Sequence, residues 1–139
     1  MFILPNGYCK LHFTSEPTHI RNMVGTLMDF VDGLSPETQA RNDLKLIFSE
    51  LMYNAVVHGN KGDPTKYVEV LINITDSRIA VTIEDEGVGY DYQNAIKYAL
   101  SENALLDEGG RGIVIVQALT DKLSFNETGN IIRFEKRFK

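Results

Sequence analysis

Glu50 and Asn54 stand four residues apart in the run SELMYNAVVHGN, from Ser49 to Asn60. On a helix that spacing places a carboxylate and a carboxamide one above the other on one face. Leu44, Ile47, Leu51 and Ala55 follow the three-and-four spacing of a buried stripe. The polar pair therefore lies beside an apolar seam on a rigid element. A carboxylate can take a proton from a hydroxyl or a water, and a carboxamide oxygen can bind a hard cation such as Mg²⁺. The same pair also suits the solvated face of an amphipathic helix, and taken alone it does not decide between the two.

Two further groups carry chemistry. Asp85-Glu86-Gly87-Val88-Gly89 follows an alternating apolar run. An acid delivered to a strand end can accept hydrogen bonds from an exocyclic amine, and glycines after it let backbone approach a flat ring. A plain loop of acids and glycines fits the pentamer equally well. Gly109-Gly110-Arg111-Gly112-Ile113 opens a helical pattern. Glycines there leave backbone N–H groups open to an anion that the helix dipole favours, and Arg111 could add a phosphate contact. It is not a Walker motif, because no Gly-Lys-Ser/Thr follows.

The elements that must position these groups read in order. Tyr8–Phe13 alternates as a strand. SEPTH predicts a helix start with Ser15 as N-cap and Glu16 and Pro17 in the first turn. Ile20, Val24, Leu27, Met28 and Val31 give that helix an apolar face, and Gly33 ends it. Ser35-Pro36-Glu37 starts a second helix that runs to about His58 and stops at Gly59. Tyr67–Thr75 and Arg78–Asp85 form a hairpin around Asp76-Ser77. Tyr92–Leu100 reads as a short helix, 101–110 as a polar loop, and Arg111–Leu119 as a helix. Lys122–Asn126 and Asn130–Phe138 close the chain as a hairpin around Glu127-Thr128-Gly129. Long helices segregated from a mostly antiparallel sheet predict an α+β two-layer sandwich, with the helices covering one face of the sheet.

The bulk numbers suit that reading. The 139 residues predict a single domain, 1–139, with a core that needs no staples. A net charge of −5 gives no support for nucleic-acid binding. Cys9 is the one cysteine, so there is no disulfide framework or cysteine metal site, and it reads as a small buried strand residue. No apolar run reaches the roughly 18 residues of a membrane helix. The opening MFILP is too short, and lacks the basic residues, for a secretory signal. The expected location is cytoplasmic. His12, His19 and His58 have no metal-ligand partner at a useful spacing. The tyrosines and phenylalanines read as core.

The order of the three groups resembles a known superfamily. E-x-x-x-N on a helix, D-x-G-x-G after a strand and G-x-G opening a helix form the pattern of the GHKL, or Bergerat-fold, ATPases, which include DNA gyrase and the histidine kinases. The runs EL-x-x-NAVVHGNKGDP and EGGRGI-x-I-V-x-x-L-x-D are similar to the small bacterial anti-sigma factors that are also serine-protein kinases. The resemblance runs from about Tyr8 to Phe138.

That resemblance implies the histidine-kinase-like ATPase fold, with ATP and Mg²⁺ as cofactors. Glu50 would be the general base, and Asn54 would bind Mg²⁺. Asp85 would accept from the adenine amine, with Gly87 and Gly89 shaping the pocket. Gly110, Arg111 and Gly112 would surround the phosphates, and the segment from about Asn94 to Gly110 would be the lid. Arg21 matches an arginine through which the first helix meets partners. The implied partners are a sigma factor, a STAS-type anti-anti-sigma protein that is phosphorylated on serine, and a second copy in a homodimer. The family usually carries threonine after the glycine of the last hairpin, where this chain has Asn130. Two alternatives stand beside this reading. A detached histidine-kinase domain needs a phosphoacceptor histidine on a dimerising helix, and none is evident. A non-catalytic GHKL-fold nucleotide-binding regulatory module would have no physical need to keep Glu50, Asn54 and Asp85.

Overall fold

Alternating β-branched residues build the sheet. In the computed structural model, which describes residues 2–3, 8–99 and 111–139, six antiparallel strands run in the order β1-β2-β3-β4-β6-β5. They are β1 (Phe2–Ile3), β2 (Tyr8–Thr14), β3 (Tyr67–Thr75), β4 (Arg78–Glu84), β5 (Lys122–Phe125) and β6 (Ile131–Arg137). Register places apolar residues in rows across the strands: Leu11 opposite Val70, Val70 opposite Ile83, and Ile83 opposite Ile132. A second row runs Cys9, Ile72, Val81, Phe134. All these residues are buried. The alternate positions make a polar outer face, where Glu69 binds Lys10 at 3.5 Å and His12 at 2.8 Å.

Among the described residues four α-helices cover the apolar face: α1 (Ile20–Asp32), α2 (Thr38–Tyr53), α3 (Tyr92–Ala99) and α4 (Arg111–Leu119). The stripe of α1 buries Met23, Val24, Leu27, Met28 and Val31. That of α2 buries Leu44, Ile47, Phe48, Leu51 and Met52. Phe48 meets Phe134 edge-on at 5.8 Å, joining the two layers at their centre. The far end is tied by polar contacts. Lys136 donates to the carbonyl of Leu119 at 2.6 Å and pairs with Asp43 at 3.3 Å, so β6, α4 and α2 meet at one ammonium. The two-layer α+β sandwich is the predicted architecture.

Three expectations are corrected. Ser15 is not an N-cap. A 3₁₀ turn (Pro17–His19) with Glu16 at its cap position precedes α1, while Ser15 is fully buried and its hydroxyl accepts from Asn60 Nδ2 at 2.6 Å. The chain is still extended at Thr14, which is paired opposite Tyr67, so Ser15 stays against the sheet instead of turning with the helix. The second helix starts at Thr38 rather than Ser35, because Ser35 takes φ 52° and Glu37 is extended. The aromatics are not uniformly core: Phe48, Phe134 and Phe138 are buried, whereas Tyr53 and Tyr67 are about half exposed.

Candidate functional site

Glu50 and Asn54 lie one turn apart where α2 ends, both partly exposed. Among the described residues neither side chain makes a hydrogen bond, although their neighbours are packed on the core. After Tyr53 the chain widens into a π-helical turn, Asn54–Gly59. The N–H of Asn60 bonds the carbonyl of Ala55 at 2.9 Å, and that of Gly62 bonds Val56 at 2.8 Å. Single π turns inside helices are rare and occur often at functional sites. The predicted helix to His58 is thus present, with its last turn π rather than α.

That turn carries Gly59 directly against Asp85, just past the end of β4. A Cβ on Gly59 would overlap the Asp85 carboxylate, so only glycine allows the approach. Gly87 in turn packs on the carbonyl of Gly59, and its N–H donates to Asp85 Oδ1 at 2.8 Å. On the other flank, the Asp85 N–H donates to the Asn130 carbonyl at 2.9 Å, and Asn130 Nδ2 reaches the Asp85 carbonyl at 3.3 Å. Asp85 is only 5% exposed. Burial pushes its carboxyl above the usual range, the Gly87 N–H opposes that rise, and the charge of Glu84 adds to it. Gly89, at φ +96°, brings the following backbone onto the carbonyl of Thr128.

Glu50 meets a second element. A Cβ on Gly112 would overlap Glu50 Oε2. Gly112 lies in the first turn of α4. The carboxylate thus sits at a helix N-terminus, where unpaired N–H groups and the dipole favour negative charge. Glu50 and Gly112 therefore form one constellation, with Asn54 one turn on from Glu50, and Asp85, Gly87 and Gly89 form another, linked through the π turn. Arg111 is the first residue of α4. Gly110 and most of the segment expected to form a lid lie outside the described residues. Arg21 is apart from both constellations. It is exposed on α1, in a groove of about 470 Å³ floored by Val24, Gly25 and Met28 and bordered on α2 by Arg41, Lys45 and Ser49.

Two features escaped the sequence reading. Asn60 is fully buried and joins three segments: its Nδ2 donates to Ser15 Oγ at 2.6 Å and to the Tyr67 carbonyl at 2.9 Å, and its Oδ1 accepts from the Glu86 N–H at 2.7 Å. It fixes the start of the loop that follows Asp85. The aromatic residues around the site also form a series. Tyr53 meets His58 edge-on at 5.6 Å, and His58 stacks on Tyr90 at 5.6 Å and 23°. Tyr90 meets Tyr92 at 5.0 Å, and Tyr92 meets Phe125 at 5.3 Å. Tyr92 is buried, and desolvation raises its hydroxyl pKa, with the nearby negative charge of Asp85 adding to the rise.

No described helix is long and apolar enough to cross a membrane. A family profile described as histidine kinase-like ATPase domain matches residues 13–136. An anti-sigma F factor of Geobacillus stearothermophilus is 31% identical over 99 residues, covering 70% of this chain and 68% of that protein. Anti-sigma F factors of Shouchella clausii and Clostridium perfringens are 29% and 28% identical over 99 and 95 residues, covering 70% and 68% of this chain and 68% of each relative. The chain belongs to the histidine kinase-like ATPase domain family, and within it is related to the bacterial anti-sigma F factors.

Proposed function

We propose that this chain is a cytoplasmic, ATP-dependent serine-protein kinase and anti-sigma factor. It holds a sigma factor and phosphorylates a serine of a STAS-type anti-anti-sigma protein, working as a single domain and as a homodimer. The observation that carries the kinase reading is the idle carboxylate of Glu50, set on α2 against the first turn of α4 at Gly112, with the idle carboxamide of Asn54 one turn on at the start of the π turn. An idle, partly exposed carboxylate on a rigid helix is placed to accept a proton. The neighbouring helix N-terminus favours phosphate oxygens.

ATP enters this reading as substrate. Its adenine amine donates to Asp85, and its phosphates lie toward the α4 N-terminus, with Gly110, Arg111 and Gly112 around them. The free carboxamide oxygen of Asn54 would give a hard cation one protein ligand, the phosphates supplying others, and Mg²⁺ held there would neutralise phosphate charge. Glu50 takes the proton of the partner's serine hydroxyl as the serine oxygen bonds the γ-phosphorus. The bond from the γ-phosphorus to the β–γ bridging oxygen breaks, leaving phosphoserine and ADP, and Glu50 then gives up its proton to solvent. The new phosphoserine adds charge to the contact and releases the partner. The groove beside Arg21 offers the partner a docking surface between α1 and α2.

The test is transfer of γ-labelled phosphate from ATP to the STAS-type protein. Glu50→Ala should lower transfer by about 10²–10⁴-fold while ATP binding survives. Unchanged transfer in that variant would remove Glu50 from the chemistry. ATP binding with no transfer by the native chain would leave a nucleotide-binding regulatory module.

A further inference from the structure

The loop from Asp85 to Tyr90 lies along the β5–β6 turn, and three consecutive residues of that turn each meet it. Asn130 accepts the Asp85 N–H on its backbone carbonyl at 2.9 Å and donates from Nδ2 to the Asp85 carbonyl at 3.3 Å. Gly129 accepts the Tyr90 N–H at 3.1 Å, and a Cβ on Gly129 would strike the Tyr90 carbonyl. The Thr128 carbonyl lies where a Cβ on Gly89 would be. The turn therefore fixes the backbone of the loop at its first residue and at its last.

The turn is itself shaped by one side chain. Asn126 follows β5 and makes four side-chain hydrogen bonds. Its Oδ1 accepts from the N–H of Gly129 at 2.9 Å and of Ile131 at 3.1 Å. Its Nδ2 donates to Thr128 Oγ1 at 3.0 Å and to Asn130 Oδ1 at 2.7 Å. Thr128 Oγ1 closes the network by donating to the same Asn130 Oδ1 at 2.7 Å. A carboxamide has two donors and two acceptor lone pairs, and Asn126 uses all four. Because Asn130 Oδ1 is held twice, its Nδ2 stays turned to Asp85. Asn126 thus bonds all three turn residues that meet the loop, and among the described residues it bonds none of the loop itself.

We propose that Asn126 is a positioning residue for base recognition: by holding the β5–β6 turn in one shape it sets the backbone of Asp85, and with it the preference for a base that carries an exocyclic amine. The inference rests on the nucleotide reading above and deepens it. The Asp85 carboxylate is held from elsewhere, by the Gly87 N–H at 2.8 Å and against Gly59 of the π turn. Loosening the turn therefore lets the backbone of Asp85 move while its carboxylate stays tethered, and the side chain tilts. A hydrogen bond weakens steeply with such an angular error. The N-terminus of α4 takes no part in this network, so phosphate contacts there are unaffected.

The test compares two nucleotides that differ only by that amine, ATP and purine riboside triphosphate, each with Mg²⁺, in calorimetric titrations of the full chain. A hydrogen bond from the amine to the carboxylate is worth about tenfold or more in affinity, so the native chain should prefer ATP by at least that factor and Asp85→Asn should lose most of the preference. Asn126→Ala should lower the preference by about tenfold, through weaker ATP binding, while purine riboside triphosphate binds as to the native chain. Thr128→Val removes one arm of the network at an exposed position and should lower it by about threefold. Thermal melts establish that each variant is folded at the titration temperature. A folded Asn126→Ala that keeps the native preference, or that loses affinity for both nucleotides alike, overturns the positioning role. If Asn126→Ala does not fold, an undiminished preference in Thr128→Val overturns it instead. A native preference that Asp85→Asn removes keeps the base pocket even when Asn126 fails, whereas a native chain that binds both nucleotides equally, or neither, ends the nucleotide reading as well.

Discussion

Replacing Asn60 with alanine should cost about 3 kcal/mol of stability, and the figure follows from its three partners. The substitution leaves the Glu86 N–H and the Tyr67 carbonyl without their side-chain bonds, and the Ser15 hydroxyl without its donor. All three bonds are short, and both Asn60 and Ser15 are fully buried. A buried group left unsatisfied costs about 1–3 kcal/mol, reduced where a water fills the space vacated. The space left by a carboxamide is polar-walled and small, so partial rescue is expected and the lower half of the range applies to each of two orphaned backbone groups. The sum is about 2–4 kcal/mol. With an unfolding entropy of about 2.1 cal/mol/K per residue over 139 residues, about 3 kcal/mol lowers Tm by about 10 °C. Ser15→Ala removes one partner only and should cost about 1 kcal/mol. Urea melts at constant m-value give both numbers. A loss below about 1 kcal/mol for Asn60→Ala would refute the claim that this residue joins β2, β3 and the loop after Asp85.

Asp85→Asn tests the cost of the buried carboxylate. Burial raises the folded pKa of Asp85, so the folded chain holds that proton more tightly than the unfolded chain. The associated stability is full below the unfolded value near 4 and is lost as pH rises through the folded value. Asp85→Asn should therefore raise Tm at pH 7, with a gain that shrinks toward acid pH; a lower Tm at pH 7 would contradict it. Gly112→Ala puts a methyl group against Glu50 Oε2, so the carboxylate must shift. It should cut phosphate transfer by at least about tenfold through misplacement of the base, while far-ultraviolet circular dichroism stays native. Lys136→Ala removes the ion-pair partner of Asp43, leaving it the 2.8 Å bond from Gln39, and should cost about 2–3 kcal/mol in urea melts. Lys136→Met with Asp43→Leu should recover most of that, since an apolar pair of similar volume replaces two desolvated charges.

Regular elements were legible where one face is buried. Tyr67–Thr75 and Arg111–Leu119 were read to the residue, because β-branched alternation and an apolar helical stripe have periods that a sequence displays directly. Phe2–Ile3 was not read, since two residues have no period; only pairing with Cys9 and Lys10 makes them a strand. Ser15 was misread because its local surroundings are those of a cap, while its hydroxyl is committed to a residue 45 positions away. Asn60 reads as one more polar residue in a turn cluster, and its three partners come from three separate segments.

The same contrast separates the chemistry from its support. Glu50, Asn54, Asp85 and the glycines are visible because their types are unusual for their positions: a carboxylate beside an apolar seam, an acid at a strand end, glycines at a helix entry. What holds them is invisible in one dimension. The π turn adds one backbone atom set to a helix whose side-chain pattern is unbroken. That extra width delivers Gly59 to Asp85, and a sequence shows only Val-Val-His-Gly. Because the turn carries Asn54 at its start and Gly59 at its end, any strain placed on one constellation reaches the other through six residues. A substitution that restores an α-helical turn there should disturb Asp85 and Asn54 together, because both are placed by the same six residues.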